Sequence, residues 1–319
     1  MEYEIMAGVL SIVVPCYNEQ EVLDMCITEL GNVLDALITK NKISSDSHIL
    51  FVDDGSSDNT WKMIESYSAK NEKVKGIKLS RNKGHQLALW AGLCECRHSD
   101  ITISIDADLQ DDTSVIENMV DEYNSGIHIV YGVRNDRATD TYFKRTTAKF
   151  FYKFMSLLGV NQVENHADFR LLSRRALLAL LNYEERNVYI RGLIPFLGFT
   201  SSKVFYSRKS RIAGESKYPL KKMLALALEG ITSLSIAPLR MLTLLGFSIS
   251  VLSAILIIFS FIKYIMGQTL HGWTSVILAV LFIGGVQMLC IGVLGEYIGK
   301  IYIEVKKRPR YFIDKKLQR

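Results

Sequence analysis

Two acidic clusters each follow an apolar run, and their residue types suit the handling of phosphate through a metal ion. Ile101-Thr102-Ile103-Ser104-Ile105 leads into Asp106-Ala107-Asp108-Leu109-Gln110-Asp111-Asp112. The segment 48–52 leads into Asp53-Asp54-Gly55-Ser56-Ser57-Asp58. In extended backbone, residues i and i+2 point to the same side, so the carboxylates of Asp106 and Asp108 can converge on one cation. Mg²⁺ or Mn²⁺ is hard, prefers oxygen and keeps coordination positions open for substrate phosphates. Such an ion would bridge a nucleotide diphosphate and neutralise its charge as it leaves. A lone D-x-D is weak, but D-A-D-L-Q-D after one strand, downstream of D-D-G-S-S-D after another, is specific. No G-x-G-x-x-G follows the first apolar run and no G-x-x-x-x-G-K-[ST] occurs anywhere. Rossmann-type dinucleotide binding and P-loop chemistry therefore lack their phosphate cradle.

These clusters need a scaffold, and the pattern around them supplies one. The sequence predicts strands over 10–15, 48–52, 74–79, 101–105 and 127–132. Helices are predicted over 19–40, 59–70, 84–94 and 113–124. Short apolar strands alternating with helices indicate an α/β fold with a doubly wound, mainly parallel sheet. Ligands of such sheets bind beyond the carboxyl ends of the strands. The residues there include Pro15-Cys16-Tyr17-Asn18-Glu19, Ser80-Arg81-Asn82-Lys83-Gly84 and Gly132-Val133-Arg134, besides the two acidic clusters.

The 319 residues are 49% hydrophobic and 22% charged, an average over two unlike regions. Residues 1–218 read as a globular domain whose first apolar run is too short, and too acidic in front, for a signal segment. After Pro238, residues 241–262 (22 residues) and 272–295 (24 residues) contain no Asp, Glu, Lys or Arg. Each is long enough to cross a hydrocarbon core of about 30 Å. Eight Lys or Arg lie between positions 203 and 240, and eight more between 300 and 319. By the positive-inside tendency, both termini and the globular domain face the cytoplasm of a multi-pass protein in the cell inner membrane. The formal charge of +5 gathers near the bilayer, which favours anionic lipid over nucleic acid. Residues 219–236 carry apolar side chains at helical spacing and read as an amphipathic juxtamembrane helix. The two spans (about 241–262 and 273–295) fall within 237–299, and 300–319 reads as a basic cytoplasmic tail. The five cysteines fit neither a zinc site nor a disulfide framework and read as reduced thiols.

The chain resembles the family 2 glycosyltransferases of GT-A fold, and among them the polyisoprenyl-phosphate glycosyltransferases such as bactoprenol glucosyltransferases and dolichol-phosphate mannosyltransferases. The resemblance rests on V-V-P-C-Y-N-E (13–19), V-D-D-G-S-S-D (52–58), R-N-K-G-H (81–85), D-A-D-L-Q-D (106–111), D-F-R-L-L (168–172), G-E-S-K-Y (214–218), P-L-R (238–240) and L-G-E-Y-I-G-K-I-Y (294–302). It implies inverting transfer of one hexosyl group from a nucleotide sugar, UDP-glucose foremost, to undecaprenyl phosphate for cell-envelope glycan modification. GlcNAc, mannose and aminoarabinose remain alternative sugars. It implies that Pro15, Tyr17 and Glu19 border the nucleoside and that Asp54 faces uracil or ribose, with Asp53 not separable from it. Asp106, Ala107, Asp108 and Gln110 would surround the diphosphate, the metal resting on Asp106, Asp108 and Gln110. Arg134, Arg211 and Lys217, with Arg145 as a further partner, would face phosphates. Asp168 would lie near the acceptor, either as catalytic base or as an orienting group for Arg170. A homo-oligomer, with the tetramer as one form, is also implied. A processive polysaccharide synthase shares the acidic motifs, but Q-x-x-R-W is absent and two spans make a poor channel.

Overall fold

The computed structural model describes residues 7–135, 166–207, 235–266 and 272–317. Arg145, Arg211, Lys217 and most of the 219–236 segment lie outside the described residues. The chain divides into two units, one built around a sheet that includes residues 308–319 and one within 219–307 that holds two long helices.

Eight strands form one sheet: β1 (Leu10–Cys16), β2 (His48–Asp53), β3 (Val74–Leu79), β4 (Ile101–Ser104), β5 (Ile129–Arg134), β6 (His166–Ser173), β7 (Ser201–Tyr206) and β8 (Ile313–Leu317). Their order is β7-β5-β6-β4-β1-β2-β3-β8. The segment β3-β2-β1-β4 is parallel throughout, as the sequence predicts. The strand order reverses between β1 and β4, which opens a crevice beyond their carboxyl ends. Asp106 lies at that crevice, two residues past β4. Beyond β4 the sheet turns antiparallel, with Ser104 opposite Arg170 of β6.

Helices α1 (Leu23–Thr39), α2 (Thr60–Lys70), α3 (His85–Glu95) and α4 (Ile116–Asn124) cover the sheet, followed by α5 (Arg174–Leu181) and α6 (Ile190–Phe196). The core joins Leu10, Ile12, Val14, Phe51, Ile103, Phe169 and Leu171 to Leu30 and Leu34 of α1. Alternation along β6 puts Phe169 and Leu171 in this core and leaves Asp168 and Arg170 for the opposite face. Helix α3 packs closely on β1 and β2, because a Cβ at Gly92 would lie 2.3 Å from Val13 Cγ1. That close seat fixes the amino end of α3, and with it His85.

The predicted basic tail contains a strand. β8 pairs antiparallel with β3, from Gly76 opposite Leu317 to Leu79 opposite Ile313. Ser80 N donates to Phe312 O at 3.0 Å. The Arg310 guanidinium lies 4.4 Å from the Trp90 ring centre and donates to Tyr183 O at 2.8 Å. Lys315 pairs with Glu65, and Lys316 with Glu95. The reason is a bare strand edge, which β3 would otherwise present to solvent.

The second unit contains α7 (Ala237–Ile265) and α8 (Trp273–Lys306). Pro238 sits in the first turn of α7, where its missing N–H costs nothing. Lys307 in a left-handed conformation ends α8, and Pro309 follows. The windows Ala237–Lys263 and Phe282–Lys306, with mean hydropathies of 2.5 and 1.5, are long and apolar enough to cross a membrane, and neither is buried within the protein. Apolar surface on all sides suits lipid rather than water. Helix α8 runs past the predicted end of the second span.

Ending the chain after Lys307 would remove β8 and bare the β3 edge. The expected result is a drop in thermal midpoint of about 5 °C or more, with concentration-dependent aggregation. Differential scanning fluorimetry in detergent checks this, and an unchanged midpoint would show that β8 adds nothing to the sheet.

Candidate active site

Tight turns at the strand ends set the floor of the crevice. Asp54, just past β2, is buried and accepts the backbone N–H of Lys83 at 2.7 Å and of Gly84 at 2.8 Å. Burial raises its pKa and those two bonds oppose the rise. Gly55 makes the fit possible. Its φ is +69°, and an added Cβ would lie 2.7 Å from the backbone of Arg81 and Asn82. The D-D-G turn and the R-N-K-G loop are therefore locked together. Asp53 is fully buried, with Oδ2 lacking a hydrogen-bond partner. The two neighbours thus differ: Asp54 braces a loop, and Asp53 keeps an unpartnered oxygen.

Pro15 is buried within β1, Tyr17 is exposed and Glu19 is half-buried. Asn18, between Tyr17 and Glu19, has φ +55°, and Leu109 in the D-A-D-L-Q turn has φ +51°. Non-glycine residues rarely adopt this region, and strain of this kind gathers at functional loops. Ala107 and Gln110 are buried, and Gln110 N donates to Asp108 Oδ1 at 3.2 Å.

Asp106 is half-buried, and its Oδ1 is buried with no hydrogen-bond partner. Burial pushes its carboxyl up to about 6, with His85 opposing and the charges of Asp168, Asp111 and Asp108 adding to the rise. A buried carboxylate oxygen that lacks a hydrogen bond, with its ion-pair partner His85 standing 3.6 Å off, favours a further cation. Among the described residues, no three His, Cys, Asp or Glu side chains group into a closed metal site. Two carboxylates on one turn, one with an unsatisfied oxygen, fit a hard cation that takes its remaining ligands from phosphate and water.

Arg134, which the resemblance directs toward phosphate, binds acidic and phenolic side chains. Nε and Nη2 donate to Asp111 Oδ1 at 3.2 and 2.9 Å, and Nε also lies 3.2 Å from Tyr206 Oη. Tyr206 donates to the same Asp111 oxygen at 2.5 Å. The last aspartate of D-A-D-L-Q-D thereby ties the turn to β5 and β7. The sequence offers Asp111 only as part of a motif and Tyr206 not at all.

Asp168 anchors the opposite side of the crevice. Its side chain is 3% exposed, that of its ion-pair partner Arg170 1%, while Arg191 is 39% and His85 42% exposed. One buried pair therefore supports two open groups. Arg191 grips the carboxylate side-on, Nε to Oδ1 at 3.1 Å and Nη2 to Oδ2 at 2.8 Å. His85 Nε2 lies 3.1 Å from Asp168 Oδ2 and 3.6 Å from Asp106 Oδ1. Gln86 joins α3 to α6 by accepting the N–H of Ile190 at 3.1 Å. Burial alone would raise the Asp168 pKa. The Arg170 charge, the His85 bond and Arg191 overcome it and hold the carboxyl well below the usual range. For His85, burial opposes protonation, but Asp168 and Asp106 outweigh it and raise the pKa. Asp106 and Asp168, 62 positions apart in sequence, are bridged by one histidine that the R-N-K-G-H motif contains. Arg191 carries no local sequence signal; only its two hydrogen bonds to Asp168 of β6 reveal it.

This arrangement can hold a cation and a diphosphate on the Asp106 side and a second anionic group on the Arg191 side. Comparison with known proteins places the chain in a family. The glycosyl transferase family 2 profile matches residues 11–181, and the GtrB C-terminal hairpin profile matches 237–301. An uncharacterized glycosyltransferase of Bacillus subtilis (strain 168), YkoT, is 54% identical over 307 residues, covering 96% of this chain and 91% of the relative. A bactoprenol glucosyl transferase of Shigella phage SfII is 37% identical over 308 residues, covering 96% and 97%. Among solved structures, the glucosyl-3-phosphoglycerate synthase of Mycobacterium tuberculosis with Mn²⁺, UDP and phosphoglyceric acid aligns with a TM-score of 0.48 at 16% identity, over 71% of this chain and 77% of that one. With the first profile spanning more than half of its residues and near full-length relatives beside it, the chain belongs to glycosyl transferase family 2 and is a glycosyltransferase of GT-A fold.

Proposed function

We propose that this enzyme transfers one hexosyl group from a UDP-sugar, UDP-glucose foremost, to undecaprenyl phosphate at the cytoplasmic face of the membrane, with inversion. The observation that carries the reading is Asp106 Oδ1, a buried carboxylate oxygen without a hydrogen-bond partner at the β1/β4 crevice, 3.6 Å from a histidine that also touches Asp168. Asp106 and Asp108 would hold Mg²⁺ or Mn²⁺, with Gln110 beside them. Held there, such an ion would neutralise charge on the departing diphosphate. Pro15, Tyr17, Glu19 and the Asp53-Asp54 turn would border the nucleoside. Arg211 and Lys217 would add cationic charge toward phosphates, with Arg134 adding to it from its seat on Asp111.

The acceptor needs little help from a base. A phosphate monoester carries about −1.5 to −2 charge at pH 7. One of its oxygens forms the new bond to the anomeric carbon. The bond from that carbon to the β-phosphate oxygen breaks, and its electron pair leaves with UDP. The product phosphodiester and UDP together carry the charge that acceptor and donor brought. Asp168, held ionised by two arginines and a histidine, has the low proton affinity of a positioning group rather than of a base. The two apolar helices, and the similarity to a bactoprenol glucosyl transferase, support a lipid-borne acceptor. Positive flanks support a cytoplasmic catalytic unit, and a homo-oligomer completes the proposal.

Incubation with radiolabelled UDP-glucose and undecaprenyl phosphate, followed by lipid extraction, should give label in a lipid monosaccharide. Labelled polymer would favour a processive synthase, and no transfer from any UDP-hexose would sink the proposal. Asp106→Asn and Asp108→Asn should each lower turnover at least ~100-fold, about 2.7 kcal/mol of barrier, and excess EDTA should do the same. Full activity in metal-free buffer would remove the metal from the mechanism. For orientation, Thr269→Cys should react with an impermeant thiol reagent on intact cells and Ser210→Cys should not; the reverse pattern would invert the topology.

A further inference from the structure

We infer that Arg191, with His85 beside it, receives the phosphate of the acceptor, and that Asp168 acts through these two groups as a positioning residue. The inference rests on the acceptor reading above. Charge balance comes first. Asp168 brings one negative charge against the two positive charges of Arg170 and Arg191, so these three groups together carry a net +1, with Asp106 the next anion across His85. The Arg191 side chain as a whole is 39% exposed, against 1% for Arg170.

Geometry gives the same result. A side-on grip through Nε and Nη2 leaves the opposite edge of the guanidinium, Nη1 and the second Nη2 hydrogen, directed away from Asp168. That edge is a planar fork already held in one orientation, the form in which arginine recognises a phosphate with two parallel bonds. Helix α6 cannot easily swing, because Ile190, Leu193 and Ile194 are buried and the Ile190 N–H is bound to Gln86. His85 Nε2 lies between Asp168 and Asp106, so an anion received at Arg191 sits beside the carboxylate assigned to the donor's metal and diphosphate. Donor and acceptor phosphates would therefore meet across His85.

A purely structural ion pair would look similar in a static structure, and kinetics distinguish the two. In the full-length enzyme, Arg191→Gln should raise the KM for undecaprenyl phosphate about 10-fold or more while the KM for the UDP-sugar changes less than about 2-fold. Arg191→Lys, which keeps the charge but loses the fork, should fall between. Asp168→Asn should follow Arg191→Gln in raising acceptor KM. A base would instead lose kcat with acceptor KM unchanged. Inorganic phosphate should compete with the acceptor in the wild type and much less in Arg191→Gln. Should Arg191→Gln not fold, Arg191→Lys and the phosphate competition carry the test. Unchanged acceptor KM, or equal change in both KM values, would overturn the inference while the wild type still glycosylates the lipid. Failure of the wild type to use undecaprenyl phosphate would overturn the function reading and this inference together.

Discussion

A carboxylate buried where three elements meet is the constraint on which the site depends. Asp168 cannot lie inside the protein as a lone anion, because an unpaired buried charge is very costly. Its presence forces Arg170 of β6, Arg191 of α6 and His85 of α3 to converge on it. Those three belong to segments that otherwise share little. The ion-pair cluster therefore sets where α6 lies, how the amino end of α3 is turned, and how far His85 stands from Asp106. Neutralising a buried carboxylate and aligning the reactive crevice are, in this protein, one requirement.

The sheet gives that cluster its position. The parallel strands β1 and β4 bring Tyr17 and Asp106 to one edge, and the antiparallel pairing of β4 with β6 sets Ser104 opposite Arg170. The first pairing builds the donor side and the second brings in the Asp168 side. The tail serves the same sheet from the far end. Arg310 on Trp90 and β8 on β3 hold α3 and its preceding loop, and α3 in turn carries His85.

Much of this was legible in the sequence wherever one short segment held the whole signal. Apolar runs ending in Asp53-Asp54 or Asp106-Ala107-Asp108 announced strands, a mainly parallel sheet and the acidic edge. The two charge-free segments announced α7 and α8. What stayed hidden depended on partners distant in the chain. Asp168 stood out only by family resemblance, and Arg191 not at all, since 23 positions separate them and only the folded chain brings the two side chains into hydrogen-bond contact. Asp54 read as a nucleoside contact, while its bonds to Lys83 and Gly84 show a brace for the neighbouring loop. The segment Ile313-Asp314-Lys315-Lys316-Leu317 read as a solvated basic tail because lysines suit exposed edge strands as well as tails. Only the unpaired edge of β3 decides between the two.

The central claim, that Asp168 is a charge that the fold must keep ionised and paired, has one direct measurement: the thermal midpoint of full-length Asp168→Asn in detergent against the wild type. The substitution keeps the side chain's shape and removes its charge, leaving the buried Arg170 cation without its carboxylate. Breaking a buried pair in this way costs about 3–5 kcal/mol, so the account predicts a fall in midpoint of roughly 10 °C. An unchanged midpoint, with activity alone lost, would contradict it and return Asp168 to the role of a simple proton acceptor.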